Sequence, residues 1–74
     1  MADRTYKKVE IVGTSPDGVD QAIRNGLARA ARTLRNLDWF EVEEIRGQVV
    51  DGAPAHFQVT MKVGFRLDDE DDDD

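Results

Sequence analysis

The stretch AHFQVTMKVGFRL, residues 55–67, decides the fold. Every second residue is apolar or small: Ala55, Phe57, Val59, Met61, Val63, Phe65 and Leu67. Between them stand His56, Gln58, Thr60, Lys62, Gly64 and Arg66. Successive side chains of a strand point to opposite faces, so this period describes a strand with one buried and one polar face. Just before it, VVDGAP (49–54) contains Asp51-Gly52, a strong signal for a tight hairpin turn. A second strand is therefore expected from about Asp38 to Val50, antiparallel to a third from about Ala55 to Leu67. The second strand is less regular. Phe40 and Val42 share a parity, Ile45 has the other, and Glu43-Glu44 lies between. A bulge or bend there restores the pattern, and Gly47 permits another irregularity.

Toward the N-terminus, Tyr6 to Val12 reads as a strand with Val9 and Ile11 on one face. GTSPDG follows, residues 13–18. Ser15 is expected as a helix N-cap with Pro16 in the first helical position. Asp17 then falls in the first turn, where the helix dipole favours a carboxylate. Val19, Ala22, Ile23, Gly26, Leu27, Ala30 and Leu34 recur at helical spacing, with Arg24, Arg29, Arg32 and Arg35 off that stripe. Gly26 costs about 1 kcal/mol in a helix interior relative to alanine, so its place on the stripe implies close packing against the sheet. The order is strand, helix, strand, strand: an α+β fold, β-α-β-β, in which one helix covers a three-stranded antiparallel sheet. Strand three spans about 13 residues, roughly 44 Å. A helix of about 20 residues, roughly 30 Å, cannot cover it. The overhanging Val63, Phe65 and Leu67 are expected to need cover from another subunit.

Composition leads to the same expectation. A chain of 74 residues is one domain, and one this small is marginal alone. Disulfides, metals or oligomerisation usually make up the difference. There is no cysteine and one histidine, which removes disulfides, thiolate metal sites and multi-histidine metal sites. Oligomerisation is left. The net charge of −6 is misleading, because residues 68–74 read DDEDDDD. Without them the chain has nine acids against ten Lys+Arg, a net of +1 for residues 1–67. The domain is placed at 1–67, and 68–74 is expected to be a disordered acidic solubility tail rather than a nucleic-acid mimic. No apolar run is long enough to span a membrane, and the N-terminus shows no secretory pattern. A soluble cytoplasmic protein is expected, with neither membrane nor nucleic acid as partner. The near-neutral body and acidic tail do not suit phosphate-backbone binding through the helix arginines.

The only tryptophan lies in LDWFEV, residues 37–42. If Phe40 and Val42 face the helix, Trp39 faces away, on the side that carries Gln58, Thr60 and Arg66. An indole, an amide and a guanidinium together suit a planar polar aromatic ligand. The same tryptophan equally suits the centre of a subunit interface. Nothing reads as an enzyme. No cysteine nucleophile exists, and His56 has no acid–base partner at readable spacing and is expected as an ordinary polar-face residue. Glu41 and Glu43 share a strand face and could mimic a paired-carboxylate site, but a solvated face, or salt bridges to Lys62 and Arg46, is expected instead. GTSPDG lacks the glycine spacing and lysine of a phosphate-binding loop.

Three stretches, YKKVEIVGTSPDG (6–18), ARAARTLRNLDWFEVEEIRG (28–47) and HFQVTMKVGFRL (56–67), resemble the dodecin family in order and spacing. The resemblance covers residues 5–67 and leaves out the acidic tail. It implies a small flavin-binding protein that assembles into a hollow homododecamer of tetrahedral symmetry, with paired flavins at subunit contacts. Trp39 matches the tryptophan against which the isoalloxazine rings stack, so that interface and ligand platform become one answer. Gln58 matches the glutamine that hydrogen-bonds the flavin's pyrimidine edge. Arg46 matches an arginine of bacterial members and points to FMN, with riboflavin and FAD as alternatives. Some bacterial members also bind coenzyme A, for whose phosphates Lys7, Arg29 and Arg66 are the candidate cations. The implied role is storage, sequestration and photoprotection, by electron transfer from indole to excited flavin. A coenzyme A-binding protein or a purely structural assembly module is the alternative. Twelve acidic tails packed inside a shell would repel one another, so the tails are expected to point outward.

Overall fold

Asp51 and Gly52 turn the chain with φ of 52° and 77°. Both values are positive, the backbone of a two-residue hairpin turn whose twist matches the strands it joins. Val50 pairs with Ala53 directly across it. The computed structural model describes residues 3–68. Its elements are β1 (Tyr6–Ser15), α1 (Val19–Ala30), β2 (Leu37–Val50) and β3 (Ala53–Arg66). The sheet order is β1-β3-β2, and both pairings are antiparallel. The α+β fold, β-α-β-β, is as expected. No helix is long and apolar enough to cross a membrane among the described residues.

Strand β3 is central and supplies the core: Val59, Met61 and Val63 are fully buried. Its hairpin partner β2 carries the expected irregularities. The register shifts between Val42 and Glu44, and again between Gly47 and Val49. Glu43 is the extra residue of the first shift, and it returns Ile45 to the face of Phe40 and Val42. A third shift, between Leu37 and Trp39, was not foreseen.

The helix differs from expectation at its start and in its length, ending at Ala30 rather than running on through Leu34. Ser15 is the last residue of β1, nearly fully buried, and its Oγ accepts a hydrogen bond from the Asp17 N–H at 2.9 Å. That bond forms a turn rather than a cap. Gly18 takes the N-cap position with φ 154°, a conformation that favours glycine. Asp20, not Asp17, provides the acid of the first turn. The helix has 12 residues, about 18 Å long at 1.5 Å per residue, against about 46 Å for the 14 residues of β3. It packs on β1 and β3 and leaves β2 bare on the same face. Phe40, Val42, Ile45, Val49 and Val50 are therefore all exposed. The expected overhang holds only in part: Leu67 is exposed, but Val63 is covered within the chain and Phe65 is half-buried. Strand order explains this, because a central strand is covered first.

The helix approaches β1 at two glycines. A Cβ on Gly13 would overlap the Ala22 carbonyl oxygen. A Cβ on Gly26 would stand 2.7 Å from the Met61 methyl and 3.2 Å from the Gly13 Cα. The close packing inferred for Gly26 is thus a glycine-to-glycine contact. After the helix, Asn36 adopts φ 64° and its amide donates to the Arg66 carbonyl at 3.1 Å and to Asp68 Oδ1 at 3.0 Å. Arg35 also pairs with Asp68. Asn36 and Arg35 hold the Asp68 carboxyl below the usual range. Asp68, the first residue assigned to the tail, is in fact tied to the loop before β2. Residues 69–74 lie outside the described residues.

Gly13→Ala is expected to destabilise the fold by about 1–3 kcal/mol, the cost of overpacking against backbone that cannot yield. The urea unfolding midpoint reads it. An unchanged midpoint would mean that helix and strand are not held this close.

Candidate functional site

On the face away from the helix, the central strand carries Gln58, Thr60, Lys62, Gly64 and Arg66. Beside it β2 presents Trp39, Glu41, Glu44 and Arg46, and β1 presents Tyr6, Lys8, Glu10, Val12 and Thr14. Trp39 is on this face, as expected, and directly opposite Gly64. A Cβ built on Gly64 would stand almost equally close to Cε2, Cζ2 and Cη2 of Trp39. Three successive ring carbons at equal distance put that point over the ring, so the indole lies face-down on the glycine. One π-face is spent on the sheet and the other is open, the residue being 38% exposed.

Two bridges over the central strand fix the ring. Tyr6 meets Trp39 edge-on, with centroids 5.3 Å apart and planes at 62°. Such pairs contribute about 0.5–1.5 kcal/mol beyond buried area. Glu41 accepts the indole Nε1–H at 2.8 Å and the Lys8 ammonium at 3.1 and 3.2 Å. These two donors, the indole first, hold the Glu41 carboxyl below the usual carboxylate range. Both bridges pass where Gly64 has no side chain. Gly64 and Tyr6 were not singled out from sequence, and Glu41 was expected only as a solvated or salt-bridged acid. Lys8 and Glu41 are 33 residues apart, and only the strand register joins them. The expected salt bridge of Lys62 is present, to Glu43 at 3.7 Å.

Gln58 and Arg46 are cross-strand partners, so the structure brings these two together. It does not bring them to Trp39. Gly64 and Gln58 are six residues apart on β3, about 20 Å at 3.3 Å per residue. No single flavin ring system reaches from one to the other. The residues nonetheless fit such a ring in kind. Trp39 offers a flat open face, Gln58 an amide donor and acceptor, and Arg46 a forked donor suited to ring carbonyls. Placed on two protomers, the groups can converge on one ligand. The three cations considered for coenzyme A are separated. Lys7 pairs with Phe65 on the helix side, Arg29 is on the exposed helix surface, and Arg66 is opposite Tyr6 on the Trp39 face.

Comparison with known proteins gives a consistent result. The family model described as Dodecin matches residues 5–68. A dodecin of Thermus thermophilus is 54% identical over 66 residues, covering 89% of this chain and 96% of that protein. The solved dodecin of Streptomyces davaonensis is 70% identical with a TM-score of 0.85, covering 90% of this chain and 98% of its own. The dodecin of Streptomyces coelicolor is 62% identical with a TM-score of 0.85, covering 92% and 97%. The match runs through both strands that carry the tryptophan, the arginine and the glutamine, and it includes the β-α-β-β order. The chain belongs to the dodecin family, small binding proteins known for dodecameric assembly and for flavin binding as a general property.

Proposed function

We propose that this chain stores FMN in stacked pairs at contacts between protomers of a homododecamer, and protects the cell from its photochemistry. The observation that carries the reading is the Trp39 platform. The indole lies on Gly64 with one face open, while the complementary Gln58–Arg46 pair stands about 20 Å away along the same sheet face. A ligand that needs both must bind between protomers. The bare apolar face of β2 supports the same conclusion, since a small domain does not leave Phe40, Val42 and Ile45 exposed without a partner. Solved variants of the Thermus thermophilus dodecin substitute a tryptophan and two arginines, spaced by seven and by twenty residues. Trp39, Arg46 and Arg66 have that spacing here.

A bound flavin supplies a photoexcited state that is a strong one-electron oxidant. Trp39 supplies the electron and takes it back, so nothing is consumed and the excitation leaves as heat. Contact between the π-faces makes this fast, and packing between protomers keeps water and oxygen out. Gln58 pairs with the polar ring edge, and Arg46 adds charge that favours FMN over riboflavin. The residues thus bind, orient and shield rather than turn over a substrate. For coenzyme A we propose no site within one protomer, because Lys7 and Arg29 lie on the opposite side of the sheet from Arg66.

Trp39→Ala is expected to weaken FMN binding by about 1–3 kcal/mol for the lost ring, with loss of the flavin fluorescence quenching. Gln58→Ala is expected to cost less, about 0.5–1.5 kcal/mol for one neutral hydrogen bond. Gly64→Ala removes no candidate ligand-binding side chain yet lifts the indole off the sheet, so its FMN affinity should fall toward that of Trp39→Ala. Titration of FMN fluorescence with each purified variant measures all three. An unchanged dissociation constant in Trp39→Ala would refute the flavin site.

A further inference from the structure

The Trp39 ring cannot hold its position through Gly64 alone, because a glycine offers a flat surface and no grip. The second anchor is the hydrogen bond from Nε1–H to Glu41 Oε2 at 2.8 Å. Glu41 is itself held by Lys8 from β1 at 3.1 Å. The ring is therefore caught between a glycine floor, the Tyr6 edge and a carboxylate that is braced from the far strand. We propose that Glu41 is a positioning residue for the flavin platform, which locks the Trp39 indole flat over Gly64 and makes it a better electron donor. The second half of this rests on the flavin reading above.

The electrical part follows from Coulomb's law. An anion in hydrogen-bond contact with an indole N–H stabilises positive charge on that ring. If Trp39 gives one electron to a bound, photoexcited flavin, the indole would carry the positive charge until that electron returns. The N–H proton stays within the Nε1–Oε2 hydrogen bond while the charge lasts. The electron then returns, and both partners are restored. Lys8 opposes this field in part, but its main work is geometric, since it fixes the carboxylate that fixes the ring.

The charged and titratable groups around Glu41 are Lys8 and Glu10 from β1, Lys62 from β3 and Glu43 on its own strand, with Tyr6 beyond the indole. The Trp39 and Lys8 contacts favour the ionised carboxyl. A group whose carboxyl is held low in the folded chain contributes fully above the ordinary glutamate range and loses its contribution as pH falls through the lowered value. The carboxylate is thus ionised at neutral pH, and only the charge-assisted part of the lock weakens in acid.

Trp39 is the only tryptophan, so its emission reports this contact with no flavin present. The test is time-resolved fluorescence anisotropy of Trp39 in the full apo-chain, for wild type, Glu41→Ala and Glu41→Gln, followed by FMN titration of each. Wild type is expected to tumble only with the whole particle. Glu41→Ala should gain a nanosecond component from free ring motion and lose FMN affinity on the order of ten-fold, the size of one charge-assisted hydrogen bond. Glu41→Gln keeps an acceptor oxygen, so it should recover the slow anisotropy while quenching bound FMN more slowly than wild type. Native mass spectrometry checks assembly, and if Glu41→Ala does not assemble, Glu41→Gln against wild type decides by the quenching rate. Ring motion unchanged in an assembled Glu41→Ala would overturn the positioning role. A quenching rate unchanged in Glu41→Gln would overturn the electrical one. Failure of wild type to take up FMN would refute the flavin reading alone and leave the anisotropy result to judge Glu41.

Discussion

The contact between the Trp39 indole and the bare backbone of Gly64 is the interaction on which the functional face depends. An aromatic ring on a sheet normally stands up among side chains. Here the central strand offers a gap, and the ring lies down in it. The gap also lets β1 and β2 reach each other across β3, through Tyr6 to Trp39 and through Lys8 to Glu41. One missing side chain thus creates a flat surface and admits the two contacts that steady it. A Cβ at this position would overlap the Trp39 ring and so remove the surface on which it lies.

A second constraint is the mismatch between helix and sheet. The chain measures 56 × 20 × 15 Å, long for its size, because a 12-residue helix accompanies 14-residue strands. The helix is held tightly where it sits, glycine on glycine at Gly13 and Gly26, and so cannot slide to serve β2. The hairpin extends beyond it with Val49 and Val50 in solvent. Such a protomer suits a place in a larger particle, and dodecameric assembly is known for the family to which it belongs. The functional consequence is economical in parts. Trp39 and the Gln58–Arg46 pair occupy two distant regions of one sheet face, and only assembly can unite them around a ligand.

Much of this was legible in the sequence, for physical reasons. The period of two in β3, the Asp51-Gly52 turn and the parity break at Glu43 are local signals, and the structure carries each where expected. The face of Trp39 followed from its neighbour Phe40. The helix start did not follow, because Ser15-Pro16 imitates a cap. Buried in β1, the serine hydroxyl instead serves a turn, and Gly18 begins the helix. The burial of Val63 was missed because sequence does not reveal that β3 is the middle strand. Gly64 looked like a neutral member of a polar face, and Glu41 like a solvated acid. Their roles arise from register, which pairs residues far apart in the chain. The separation of Trp39 from Gln58 was likewise hidden until the strands were aligned.

The central claim is that the flavin site exists only between protomers. Native mass spectrometry of the wild-type chain mixed with FMN, across protein concentrations that span assembly, tests it most directly. The predicted result is a dodecamer that carries one FMN per subunit and smaller species that carry none. A monomer that binds FMN one-to-one would contradict it, since Trp39 and Gln58 of a single chain cannot share a ligand.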